Sequence, residues 1–214
     1  MIGKWNKSVI VTYAGMFFAL AAVILIMLDL YGYGMMCFMA AGICDLFDGT
    51  VARMCKRTEE EKNFGIQLDS LVDVISFLVV PILLVLRNAG IRWYSIIACV
   101  LYLLFGVARL AYFNVCQEEN EDKDSPIKYY TGMPVTYAAL IFPVAYLIGV
   151  RISILVTDVW FSSVITGSIL CGVMAVMAVF YILRIKFIKP GKRGYVFLML
   201  LAIALFVLYM LFGR

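Results

Sequence analysis

A chain of 214 residues that is 64% hydrophobic and only 15% charged is too apolar for an ordinary water-soluble domain, and its net charge of +4 needs no nucleic-acid partner to explain it. The sequence contains no histidine, which excludes imidazole metal ligands, Ser-His-Asp triads and Cys-His dyads. Any acid-base chemistry must therefore come from carboxylates.

Cutting at charged and turn-rich stretches predicts seven apolar spans, near residues 9–28, 33–55, 64–86, 91–113, 132–150, 160–183 and 195–212. Each is close to the roughly 20 residues that cross a bilayer as a helix. The expected fold class is an all-α, polytopic integral membrane bundle, with residues 1–214 as a single membrane domain because no linker or repeat divides them. The first span follows Lys4 and Lys7, exceeds the length of a signal-peptide core and lacks a small-residue cleavage site, so it is expected to be a retained anchor. The second and third spans flank the charged connection KRTEEEKN, residues 56–63. The fourth is followed by the acidic stretch QEENEDKDSP, residues 117–126, expected to be a solvated connection. The basic run RIKFIKPGKRG, residues 184–194, precedes the last span and is expected to act as a topology determinant. With the N-terminus inside, most Lys and Arg of the connections fall on the cytoplasmic side, as the positive-inside rule requires. Cys37, Cys44, Cys55, Cys99, Cys116 and Cys171 lie in or beside the spans without metal-ligand spacing and are expected to be reduced packing residues.

The chemistry concentrates in spans two and three. Asp45, Asp48, Gly49 and Ala52 stand at i, i+3, i+4 and i+7, on one face of a helix. Gly65, Asp69 and Asp73 stand at i, i+4 and i+8, again on one face. An antiparallel pair of helices joined by a short connection sets Asp45 at the depth of Asp73 and Asp48 at the depth of Asp69. An intramembrane Asp costs about 2.5–3.5 kcal/mol, so four approach roughly 10 kcal/mol by simple addition. Only Arg53 lies near enough in sequence to neutralise any of them. Clustered aspartate oxygens suit Mg²⁺ or Mn²⁺, and two such ions about 3.5–4 Å apart clamp the oxygens of a phosphoryl displacement. A divalent-cation transporter would also gather intramembrane acids, but it would spread polar groups through several spans rather than cluster them toward one membrane face.

The spacing D45-x2-D48-G49-x2-A52-R53-x11-G65-x3-D69-x3-D73 resembles the signature of the CDP-alcohol phosphotransferase family, DxxDGxxAR followed by GxxxDxxxD. LDSLVDVISFLVVP (68–81) is similar to the stretch typical of its CDP-diacylglycerol–serine O-phosphatidyltransferase (phosphatidylserine synthase) branch, and RLAYFNV (109–115), TGMPV (131–135) and RIKF (184–187) agree with it. Tyr112 and Leu78 depart from that branch pattern, which usually has a basic residue and a glycine there. The resemblance covers residues 8–188 and implies a six-helix catalytic core, with 195–212 as an additional helix, usually in a homodimer. It implies transfer of a phosphatidyl group from CDP-diacylglycerol to the hydroxyl of L-serine, giving phosphatidylserine and CMP. Inositol phosphate, glycerol phosphate or an archaeol-type donor are the alternatives.

Carried over, Asp45, Asp48, Asp69 and Asp73 would hold two Mg²⁺ or Mn²⁺ ions, with Asp73 as general base. Asp45, Gly49, Ala52, Arg53, Gly65 and Asp69 would bind the CDP donor. Arg109, Asn114 and Thr131 would face the acceptor or a phosphate, although Arg109 alone reads equally well as an interfacial anchor. The implied location is the cytoplasmic membrane, multi-pass among membrane lipids, with the N-terminus and active site on the cytoplasmic side.

Overall fold

The computed structural model describes residue 6 and residues 9–121, 129–155, 159–188 and 192–212. Its helices are α1 (Val9–Met27), α2 (Tyr31–Met54), α3 (Glu59–Ala89), α4 (Trp93–Glu121), α5 (Ala138–Leu155), α6 (Val159–Ile182) and α7 (Lys192–Phe212). A short 3₁₀ turn at Val135–Tyr137 leads into α5. The strands β1 (Tyr129–Thr131) and β2 (Lys186–Ile188) form one antiparallel ladder, with Tyr130 opposite Phe187. Among the described residues, six helices are long and apolar enough to cross a membrane, and α7 contributes a shorter apolar stretch, Phe197–Leu211. The chain is thus a polytopic helical membrane protein.

Two boundaries differ from the sequence expectation. The connection expected over residues 56–63 is helical from Glu59 onward, because Thr58 forms a capping box: its hydroxyl accepts from the Glu61 N–H at 3.2 Å, and the Glu61 carboxylate accepts from the Thr58 N–H at 2.8 Å. Three glutamates in that first turn also favour the positive helix end. At the other site, α4 continues to Glu121, so the first part of the acidic connection 117–126 is helical backbone; residues 122–126 lie outside the described residues.

The bundle is apolar inside and out, as lipid demands. Phe38, Phe77, Tyr102, Phe142 and Met174 are fully buried, while Phe17, Leu71 and Leu104 are exposed on the periphery. Burial of apolar surface does not drive helix pairing in lipid, so close backbone approach at small residues matters more. Gly167 of α6 is one such point: a Cβ there would stand 2.5 Å from the Ala89 Cα and 2.8 Å from the Asn88 carbonyl of α3.

Contacts between connections fit helices that cross in alternating directions. Near the start of α1, the Asn6 amide donates to the Lys56 carbonyl and to Glu61, at the end where α2 runs into α3. β1 and β2 join the connections that flank α5 and α6 at that same end. At the opposite end Arg87 bonds to Asp29, which adopts φ +61° in the tight turn between α1 and α2. The Arg87 bond, with a second from the Tyr31 hydroxyl, holds the exposed Asp29 carboxyl below its ordinary pKa.

Candidate metal and substrate site

α2 carries its acids in its last three turns and α3 carries its own beginning in its third, so the antiparallel pair brings the two stripes together. One carboxylate oxygen from each of Asp45, Asp48 and Asp69 lies within 4.8 Å of the others. The Asp45 carboxyl stands against that of Asp73, and the Asp48 carboxyl against that of Asp69. The depth pairing expected from the spacing is therefore the one the helices adopt. The Thr12 hydroxyl of α1 donates to Asp48 at 3.4 Å, adding a wall that no motif announces.

Four carboxylates at this range repel strongly, by about 4 kcal/mol per pair at 4 Å for an effective dielectric near 20. The sequence offered only Arg53 as a neutralising neighbour. The structure adds Arg109 from α4, which is buried, faces Asp45 and stacks its guanidinium 5.0 Å from the Phe113 ring centroid. Its position corrects the anchor reading of Arg109: the side chain points into the protein rather than toward the headgroups. Even with Arg53 and Arg109 both counted, four carboxyl groups meet two guanidinium groups. The all-oxygen donor set, with more carboxyl groups than nearby guanidiniums, fits a hard divalent cation, and Asp45, Asp48 and Asp69 could hold one.

The acids open into a cavity of about 800 Å³. Asp45, Asp48, Gly49, Arg53, Asp69 and Asp73 line it from α2 and α3, Arg109 and Asn114 from α4, and Pro134 to Tyr137 from the entrance to α5. Leu198 and Met199 of α7 close one side. Gly49 leaves room that a side chain would fill, since a Cβ there would meet nothing within 4 Å. Ser70, between the two motif acids of α3, accepts from the Asn114 amide at 2.8 Å and fixes that amide at the cavity wall.

Not every expected residue reaches the cavity. Ala52 and Gly65 are partly buried on α2 and α3 but do not line it, and a Cβ on Gly65 would approach Arg57 Nη1 at 3.7 Å. Thr131 pairs through its backbone with Lys186, and its side chain lies outside the described residues. Next to it, Gly132 adopts φ +84°, and a Cβ there would stand 4.0 Å from Arg109 Cγ, which places the strand ladder at the Arg109 end of the cavity. Sequence reasoning missed Thr12, Ser70, Phe113, Thr136 and Tyr137. Ser70 and Phe113 sit inside quoted motifs and could have been marked as polar or aromatic neighbours of the acids; Thr12 gives no signal beyond being a hydroxyl in an apolar span.

Comparison with known proteins agrees with this geometry. The chain is 34% identical over 113 residues to the CDP-diacylglycerol–serine O-phosphatidyltransferase of Saccharomyces cerevisiae, a match covering 51% of this chain and 40% of that protein. It is 35% identical over 115 residues to the enzyme of the same name from Helicobacter pylori, covering 52% and 45%. It is 37% identical over 110 residues to the archaetidylserine synthase of Methanothermobacter thermautotrophicus, covering 51% and 44%. These matches span less than half the length of each relative. The sequence model of the CDP-alcohol phosphatidyltransferase family matches residues 5–166, from the N-terminus into α6 and across every acid of the cavity, and the chain belongs to that family.

Proposed function

We propose that the chain is a membrane transferase that moves the phosphatidyl group of CDP-diacylglycerol to the hydroxyl of L-serine, giving phosphatidylserine and CMP. The observation that carries this reading is the convergence of Asp45, Asp48, Asp69 and Asp73 on one cavity that Arg109 and Asn114 also line. Serine is favoured as acceptor because the relatives quoted above share serine in their names while their lipid part differs.

Asp45, Asp48 and Asp69 would hold Mg²⁺ or Mn²⁺, with Asp73 completing a second position. Bound there, divalent ions would neutralise the diphosphate and the departing CMP. Arg53, exposed at the end of α2 and bonded to Thr50 at 3.4 Å, is placed to meet a phosphate entering from water. Gly49 lets the nucleotide approach the backbone. Arg109 offers a two-pronged donor for the α-carboxylate of serine, and its stacking on Phe113 holds the fork in plane. Asp73 accepts the proton of the serine hydroxyl. The hydroxyl oxygen then bonds to the β-phosphorus, and the bond between that phosphorus and the CMP oxygen breaks. Lys and Arg in the connections support a cytoplasmic membrane orientation with the N-terminus and site inside, and the resemblance supports a homodimer.

The test is CMP release by the purified chain given Mn²⁺ or Mg²⁺, CDP-diacylglycerol and one acceptor at a time: serine, inositol phosphate or glycerol phosphate. Release with serine alone, stopped by EDTA and restored by metal, is expected. Equal or faster release with another alcohol overturns the acceptor. Divalent-cation flux into vesicles without CMP release overturns the enzyme reading in favour of transport. Replacing the donor by its archaeol counterpart tells ester from ether lipid.

A further inference from the structure

α3 changes character one residue after Asp73. Val74–Val79 is π-helical, and the Val80 N–H donates five residues back, to the Ile75 carbonyl. Short π stretches inside α-helices occur frequently at functional sites. Pro81 leaves a second mark on the same turn. Ordinary α-helical spacing would pair the Phe77 carbonyl with the nitrogen of residue 81, and a proline nitrogen carries no hydrogen.

Tyr102 of α4 supplies the partner: its hydroxyl donates to the Phe77 carbonyl at 2.8 Å. A phenol has one proton, so the bond between the Tyr102 and Tyr181 hydroxyls, at 3.2 Å, runs with Tyr181 as donor. The result is a directed chain from α6 through α4 to the π turn of α3. Both rings are buried, with centroids 5.4 Å apart. Tyr181 also lies within electrostatic reach of Arg109 and Asp73. Tyr102, Gly106 and Arg109 share one face of α4 at i, i+4 and i+7. Gly106 lets that face close on the π turn, since a Cβ there would stand 2.5 Å from Leu78 Cδ2. Neither tyrosine lines the aspartate cavity.

We infer that Tyr102 and Tyr181 are positioning residues, whose hydroxyls, chained onto the Phe77 carbonyl, fix the π turn and thereby the direction in which Asp73 presents its carboxylate beside Asp45. The inference rests on the metal and base roles assigned to Asp73 above. It differs from a purely structural role because the bond satisfies a carbonyl one helical turn past a reacting group, on a segment whose backbone could otherwise relax to another register.

Tyr209 provides the control. Its buried hydroxyl donates to the Pro143 carbonyl at 2.7 Å, a bond of the same kind joining α7 to α5. Tyr102→Phe, Tyr181→Phe, the double variant and Tyr209→Phe, each in the full chain, are compared by Mn²⁺ binding, steady-state CMP release and thermal unfolding. Tyr102→Phe is expected to lower kcat about tenfold, weaken Mn²⁺ binding about threefold and leave the serine KM within about twofold. Tyr181→Phe is expected to lower kcat about threefold, and the double variant to match Tyr102→Phe, because the chain runs through Tyr102. Tyr209→Phe lowers the unfolding temperature and leaves kcat and Mn²⁺ binding unchanged. Wild-type kcat and Mn²⁺ affinity in Tyr102→Phe overturn the inference, as do equal losses in Tyr209→Phe. A wild-type chain that binds Mn²⁺ but releases no CMP with serine removes the acceptor reading and leaves the Mn²⁺ comparison to decide this one. A chain that does neither overturns both.

Discussion

Asp73 is the acid whose chemistry is most separable from its packing. Asparagine matches its shape and keeps an oxygen toward Asp45, yet it cannot take a proton or carry charge. Asp73→Asn is therefore expected to stop CMP release while leaving the chain folded and monodisperse in detergent; turnover at the wild-type rate would remove Asp73 as the base. Arg109 is tested differently. Lysine keeps the charge but loses the planar fork and the stack on Phe113, so Arg109→Lys should raise the serine KM about tenfold with a smaller effect on kcat, measured in the same assay. The four acids were legible because helical period alone puts them on two stripes, and a short connection fixes which faces which. Arg109 as their counter-charge was not legible, because its approach depends on how α4 crosses α3, and Tyr102 is hidden for the same reason. Pro81 could have flagged a carbonyl without its α-helical donor, but nothing local says which hydroxyl answers it.

Helix ends and crossings follow a similar division. The capping box of Thr58 and Glu61 was written in the sequence as T-x-x-E, yet the density of charge in residues 56–63 favoured a loop, and α3 begins within that charged run at Glu59. Hydropathy weighs the run by its side chains, whereas helix formation is decided by whether the first N–H groups find acceptors. The crossing of α6 over α3 was not legible at all, since a glycine in an apolar span announces no partner. Gly167→Ala should lower stability by about 1–3 kcal/mol, because the clashing atoms are backbone and the helices must separate to admit a methyl group. Gly172→Ala on the same helix is the comparison: a Cβ there meets nothing within 4 Å, so thermal unfolding should show no loss. Equal destabilisation by both would mean that the α3–α6 crossing is looser than the structure has it.

Across the whole molecule, alternating traversals collect the Asn6, Lys56 and strand-ladder contacts at one end and the Asp29–Arg87 bond at the other. The proposed orientation puts the first of these ends in the cytoplasm. In a cysteine-free background, an impermeant maleimide should label Arg92→Cys in intact cells and Lys56→Cys only after the membrane is opened; the reverse pattern would invert the bundle. Seven spans were expected, and among the described residues six helices are long and apolar enough to cross a membrane, because twenty apolar residues are hard to mistake; α7, outside the family match yet forming one side of the cavity, has only a shorter apolar stretch. The cavity itself belongs to the end where α2 runs into α3. Under the proposed function, a nucleotide-linked lipid and a water-borne alcohol would meet at a single leaflet, and each new phospholipid would be left in the monolayer that supplied its precursor. Populating the facing monolayer would fall to separate machinery that turns lipids over, and the bilayer would grow lopsided wherever that machinery lagged behind synthesis.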